Sequence, residues 1–317
     1  MRRSYVLVVL IMSALIVGAC LNMGNSGNET QGKNENTKEN ENDKGNDYEE
    51  ENYVPIQEYT GEGFTLRDAN PKTGEIAEAN REEVVTAVED FFINKYKTEV
   101  DVHNIVSAVD GVSVFVESVG EPHFYSFAIV PIDIKNKEVK TDQVWSQEGQ
   151  VEYAIKGGLY AMAFEEEFTK LDEYLKSVAK EYPVVGTPIK VIESIKGNGY
   201  TTPYYFIAPS GDVFEDLYSL YIQNTDITKE ELKLFFKEQT LEPKYLSVGI
   251  EFYMQDQDVD PDEDILNNVI KDLEEIKGIP QGVYSITLND NYIDGNRGIG
   301  KKDSTLRRTT PNKVIKE

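Results

Sequence analysis

The chain has little to work with in sulfur, imidazole and positive charge: one cysteine, one tryptophan and two histidines in 317 residues. A lone thiol excludes an internal disulfide and any site built from several thiolates. Basic residues are scarce too, with 32 Lys and Arg against 57 Asp and Glu, a formal net charge of −25. So acidic a chain has little with which to neutralise phosphates, which argues against nucleic acid as a partner. It favours a self-repelling, soluble surface. Zincin, G-x-S-x-G and Rossmann patterns are all missing. No residue is therefore assigned a catalytic role, and neither a metal nor a cofactor is expected.

The cysteine stands where its position is informative. Arg2 and Arg3 precede an apolar run from Tyr5 to Val17. That run is shorter than the roughly 20 residues of a membrane span and suits the apolar core of a secretory signal. Val17-Gly18-Ala19-Cys20 follows, and it resembles the lipobox of bacterial lipoprotein precursors. The resemblance implies a signal peptide at 1–19, cleavage before Cys20, and a diacylglycerol on its thiol. The membrane would then be a partner through the anchor, and the folded part would sit on the extracytoplasmic face of the cell membrane. Two acyl chains meet the requirement of stable anchoring for two hydrophobic signals. The plainer alternatives are an ordinary signal peptide or an uncleaved anchor with a chance cysteine. If Cys20 is acylated, no thiol remains for chemistry.

Residues 20–52 read CLNMGNSGNETQGKNENTKENENDKGNDYEEEN. So polar a segment buries too little apolar surface to offset the entropy of ordering, and it is expected to be a disordered tether. Residues 53–317 are long enough for one large domain or two small ones. The pattern permits lobes at 53–185 and 186–295 with a seam in 182–199, and a basic tail at 296–317.

The elements point to an α+β fold, with helices packed on antiparallel sheet. Asn80 and Glu83 have capping-box spacing, and Val84, Val88, Phe91 and Phe92 follow with helical periodicity. EVDVHNIVSAV, GVSVFVES and HFYSFAIVPID then read as a meander turning at Asp110-Gly111 and at Gly120-Glu121-Pro122. A helix around Glu148 to Met162 is weakened by Gly157-Gly158. A second carries the stripe Phe164, Phe168, Leu171, Leu175 and Val178 and ends at Pro183. Strands at 204–208, 245–254 and 283–288 alternate with helices at 213–222, after Thr228, and from Pro261 to Lys277. No regular strand-helix-strand order spans the chain.

Five constellations carry conceivable chemistry. With the turn at Asp110-Gly111, His103 faces Ser118 and Ser118 faces His123. The histidines then lie about 10 Å apart, too far to share one metal directly. A serine between two histidines invites a nucleophile reading, and a polar rim of the core face is the simpler one. Asp256, Asp258 and Asp260 match the first ligand positions of a calcium loop, but Pro261 stands in place of the turning glycine and Asn267 in place of the bidentate Glu. Asp260 as N-cap, Pro261 at the first position and Glu263 in a capping box explain the same stretch as a helix start. Gly295, Gly300 and Lys301 imitate a P-loop without its Ser or Thr, and Ser177 to Lys180 imitates S-x-x-K inside an amphipathic helix. Lastly, Arg297, Lys301, Lys302, Arg307, Arg308, Lys313 and Lys316 crowd a tail opposed only by Asp303 and Glu317. Such a tail either contacts anionic lipids or envelope polymers or folds back on the acidic protein.

The stretches YVPIQEYTGEGFTL, HNIVSAVDGVSVFVESVGEPHFYSFAIVPID, GLYAMAFEEEF and DNYIDGNRGIGKKD resemble an uncharacterised family of lipoproteins of Gram-positive bacteria. The resemblance supports lipidation at Cys20 and implies no reaction or ligand. The sequence reading is a lipid-anchored, non-enzymatic binding or interaction protein of the envelope, with an anionic polymer or a protein as partner. The alternatives are a wall-glycan hydrolase using Asp or Glu and a solute-binding lipoprotein that feeds a transporter.

Overall fold

A computed structural model of the chain describes residues 48–317 apart from Thr240. The expected signal segment, Cys20 and the tether up to residue 47 lie outside the described residues. The last part of the expected tether, 48–52, is helical. It is held by Tyr48, whose hydroxyl donates to Asp294 Oδ2 at 3.0 Å.

The fold is α+β. Strand β1 (Tyr53–Pro55) is followed by helices α1 (Pro71–Ala79) and α2 (Arg81–Tyr96). Asn70 caps α1 by accepting from the Lys72 N–H, with Pro71 at the first position. The expected capping box at Asn80 does not form. Asn80 closes α1, its Nδ2 donating to Ile76 O at 2.8 Å, so its side chain is unavailable to α2. Val84, Val88, Phe92 and Tyr96 still bury one face of α2.

The meander follows as β2 (Val100–Ser107), β3 (Gly111–Ser118), β4 (Tyr125–Asp133) and a short β5 (Glu138–Val139). Period-2 alternation sends Val112, Val114, Val116, Ala128 and Val130 into the core. Two helices come next, α3 (Gln150–Ala163), which packs on β4, and α4 (Glu165–Glu181), which packs on α3 and on the following strand at Val184–Val185. The glycines of α3 have a packing reason. A Cβ at Gly158 would lie 2.6 Å from His123 O, so only glycine lets the helix approach the β3–β4 turn this closely.

The second sheet has six strands: β6 (Val184–Val185), β7 (Tyr205–Pro209), β8 (Leu246–Met254), β9 (Gly282–Asn289), β11 (Leu306–Arg308) and β12 (Val314–Lys316). Helices α5 (Asp212–Gln223), α6 (Lys229–Glu238) and α7 (Glu263–Glu275) lie between its strands in the chain. Only β8 and β9 are parallel, joined through α7 as a crossover. Both C-terminal strands add to the far side of β9. The cap of α7 is Asp262, whose Oδ1 accepts from Asp264 and Ile265 N–H, two residues beyond the expected Asp260. A two-stranded ribbon pairs β1 with β10 (Tyr292–Asp294).

One buried apolar cluster runs through both sheets, including Val114, Leu171, Leu217, Phe252 and Ile286. A second, of Ile56, Tyr59, Val191, Tyr253 and Ile293, joins the ribbon to β8. It is roofed by a helical turn, Ile189–Val191, that widens into π-helix over Ile192–Lys196. Among the described residues, no helix is long and apolar enough to cross a membrane.

Candidate functional site

The β2–β3 turn determines what the histidines meet. Ala108 N–H donates to Gly111 O at 2.8 Å, so the two-residue loop is Val109-Asp110, one residue earlier than expected. A β-bulge then falls at His103: Val102 pairs with Val116, and Asn104 with Phe115. Such a bulge re-aims the extra side chain. His103 consequently meets Glu117 instead of Ser118, its Nε2 2.7 Å from Glu117 Oε2.

Glu117 lies between the two imidazoles. Its other oxygen, Oε1, is 3.7 Å from His123 Nδ1. His123 packs edge-on against Tyr125, with centroids 5.1 Å apart, and against Tyr200 at 6.0 Å. Tyr125 is the cross-strand partner of Glu117. Burial pushes its hydroxyl well above the usual tyrosine pKa, and the charges of Glu117 and Glu193 add to the effect.

Glu193 comes from the π-helical turn. Asn104 Nδ2 donates to Ser194 O at 3.0 Å and ties this turn to β2 directly beside the bulge. Gly61, at φ +91°, lets the loop after β1 close on the same turn, since a Cβ there would sit 2.7 Å from Ser194 Cβ. His103, Glu117 and Glu193 each offer a ligand atom, and these atoms lie within 4.8 Å of one another. All three side chains are half-buried. Lys190 is 3.6 Å from Glu193 and mostly exposed. The arrangement is one nitrogen and two carboxylate donors converging at a point that water can reach. Pro188 and Gly197 flank the turn, but no sequence pattern singles out Glu193 as part of a site.

Ser118 does not join this group. It is buried, donates to Pro122 O at 2.9 Å and accepts from Phe124 N–H at 2.8 Å. Its hydroxyl closes the β3–β4 turn.

The other expected constellations are dispersed. Asp258 stands at φ +58° and accepts from the Tyr292 hydroxyl at 3.0 Å, while Asp262 serves α7. In the P-loop imitation, Asp294 Oδ1 accepts from the Asn296 and Arg297 N–H groups, which a phosphate would otherwise need. Ser177 donates to Tyr174 O within α4.

The basic tail folds back. Lys302 lies over the rings of Tyr53 and Tyr292, with its ammonium 3.0 Å from Asp290. Lys316 donates to Leu273 O, Glu274 O and Ile276 O at the C-terminus of α7, where a cation complements the helix dipole.

One further carboxyl stands out electrostatically. Burial raises the pKa of Asp172 on α4, which shares a small pocket with Glu121, Glu165, Thr169 and Tyr200.

No curated protein matches the chain. Its fold is similar to the crystal structure of a DUF1672 family protein from Staphylococcus aureus, at 19% identity and a TM-score of 0.68. The match covers 84% of this chain and 98% of that one. The family of proteins of unknown function designated DUF1672 matches residues 46–316, nearly the whole described fold, and the chain belongs to it.

Proposed function

We propose that the protein is a lipid-anchored, extracytoplasmic binding protein of the cell envelope, held through a thioether at Cys20 and without enzymatic activity. The observation that carries this reading is the position of the only cysteine, directly after Val17-Gly18-Ala19 and an apolar run. Family membership from residue 46 is consistent with a leader and spacer preceding the shared fold. The envelope contact is an anionic polymer or a protein. Within the tail, Arg297, Lys302, Arg308 and Lys316 already have internal partners, which leaves Lys301, Arg307 and Lys313 to meet an anionic polymer. The test is metabolic labelling with a fatty acid. Cys20→Ala should lose the label and accumulate as uncleaved precursor, and normal labelling of the variant would sink the proposal.

Asp172 favours a second reading, a hydrolase of wall glycan. Such chemistry needs a carboxyl held protonated in a cleft beside a second carboxylate. Glycan cleavage by the parent protein that disappears in Asp172→Asn would establish it. Intact glycan after incubation with the parent leaves the binding reading in place.

A further inference from the structure

We propose that His103, Glu117 and Glu193 form a binding site for a divalent first-row transition ion, with zinc as its probe. The inference is independent of how the chain is anchored.

Three separate elements deliver the donors: a bulge on β2, the end of β3 and the π-helical turn. None of the three is adjacent to another in sequence, yet their ligand atoms converge within 4.8 Å. Two carboxylates that close repel unless a positive charge lies between them. The fixed backbone holds them there, because Asn104 ties the turn to the bulge and Glu117 is locked into a ladder on both sides.

The donor set selects the ion. Calcium and magnesium prefer all-oxygen shells, whereas imidazole with carboxylates suits zinc and its first-row neighbours. Zinc bonds of about 2.0–2.2 Å place tetrahedral ligands roughly 3.3–3.5 Å apart. The 2.7 Å contact of His103 Nε2 with Glu117 Oε2 must therefore open slightly, and the wider pairs must close. Side-chain rotation at half-buried positions supplies both movements. On binding, Nε2 presents its lone pair to the ion: a neutral imidazole then carries its proton on Nδ1, and an imidazolium releases one proton to solvent. Water fills the fourth position, since all three donors retain solvent access.

An outer shell is also in place. His123 Nδ1 addresses the free oxygen of Glu117 and orients that carboxylate. Tyr125 lies beside both glutamates and walls the site on the sheet side. Lys190 occupies Glu193 from solvent, and its exposed side chain can swing away. The acidic run at Asp256–Asp264 offers carboxylates without a nitrogen donor, and so provides the control.

The experiment is equilibrium dialysis of the full, chelator-treated chain against zinc with excess calcium, which saturates the general acidic surface. The parent should retain one tightly held zinc per chain. Glu193→Gln should weaken that zinc at least tenfold while melting at the parent temperature, because among the described residues the ion-pair partner of Glu193 is Lys190, which is mostly exposed. His103→Ala should do the same, and Asp256→Asn should bind as the parent does. A parent that holds no zinc under these conditions overturns the site. So does Glu193→Gln with unchanged affinity, which would assign the zinc to the surface at large. If His103→Ala fails to fold, Glu193→Gln alone decides.

Discussion

His103 and Glu117 are joined at 2.7 Å across a bulge that inserts one residue into β2 and none into β3. The bulge divides β2 into two registers. Deleting His103 would leave Val102 and Asn104 side by side opposite Val116 and Phe115, so every other residue keeps its partner and its face, and only the re-aimed side chain is lost. A deletion variant should therefore unfold close to the parent in denaturant, as should His103→Gln, which keeps the bulge. A deletion variant that unfolds at clearly lower denaturant would show that the bulge itself supports the packing of β2.

Ser118 is the hydroxyl that closes the neighbouring turn. Ser118→Ala strands the Phe124 N–H and the Pro122 carbonyl in a buried setting. Leaving such groups unpaired costs about 1–3 kcal/mol. Urea denaturation should show a lower midpoint with an unchanged slope.

Gly158→Ala sets two effects against each other. Alanine gains about 1 kcal/mol of helix propensity over glycine. Its Cβ would approach the His123 carbonyl to 2.6 Å, and that oxygen belongs to backbone that cannot rotate aside. Steric displacement should win, lowering the melting temperature and perturbing the NMR signals of His123 before those of residues elsewhere on α3.

The start of α6 carries a complete capping box, with Thr228 Oγ1 accepting from Glu231 N–H and Glu231 accepting from Thr228 N–H. Thr228→Ala should cost about 1 kcal/mol. The Thr228 N–H and hydroxyl hold the Glu231 carboxyl below its ordinary value of 4.5. The folded-state pKa is depressed, so the stabilisation is complete above that ordinary value and is lost as pH falls through the lower folded value. Protection of the first turn of α6 against hydrogen exchange, relative to the intrinsic rate, should fall in that acidic window in the parent and show little such change in Glu231→Gln, because Thr228→Ala would still keep the backbone donor to Glu231.

Truncation after Asp303 tests what the tail does. It removes β11 and β12, uncovers one edge of β9 and exposes the Val314 site. The Val314 side chain alone is worth about 1.5 kcal/mol or more, and an uncovered edge strand invites pairing between chains. The truncated protein should melt earlier and aggregate. A tail serving only as a polymer ligand would leave both properties unchanged.

The local signals in the sequence were sound where a pattern reports its own neighbourhood. Period 2 found the meander, the stripe from Phe168 to Val178 found α4, and Thr228 with Glu231 found α6. Failures arose where one residue's alternatives are nearly equal. The loop can turn at Val109-Asp110 or at Asp110-Gly111, and that step together with the bulge at His103 decides whether His103 meets Ser118 or Glu117. Asn80 could cap forward or backward, and it went backward to α1. Asp260 and Asp262 are both good caps, and the later one won. Glu193 was invisible for a different reason. A lone glutamate in a short turn carries no period, and its relation to β2 and β3 is set by long-range packing through Asn104 and Gly61. The tail's charges could be counted, but their partners at the end of α7 could not.

The bond from Tyr48 to Asp294 joins positions 246 apart in the chain, and β1 pairs with β10 beside it. This closure has a consequence in time. The meander can form from near neighbours soon after synthesis, since its contacts are local. The first strand of the fold has no partner until Tyr292–Asp294 exists, and β9 stays open at one edge until β11 and β12 follow. Long-range closure of this kind is slow and leaves sheet edges exposed while it waits. The ribbon thus closes only once Tyr292–Asp294 is delivered, and a chain interrupted before that point leaves β1 unfastened.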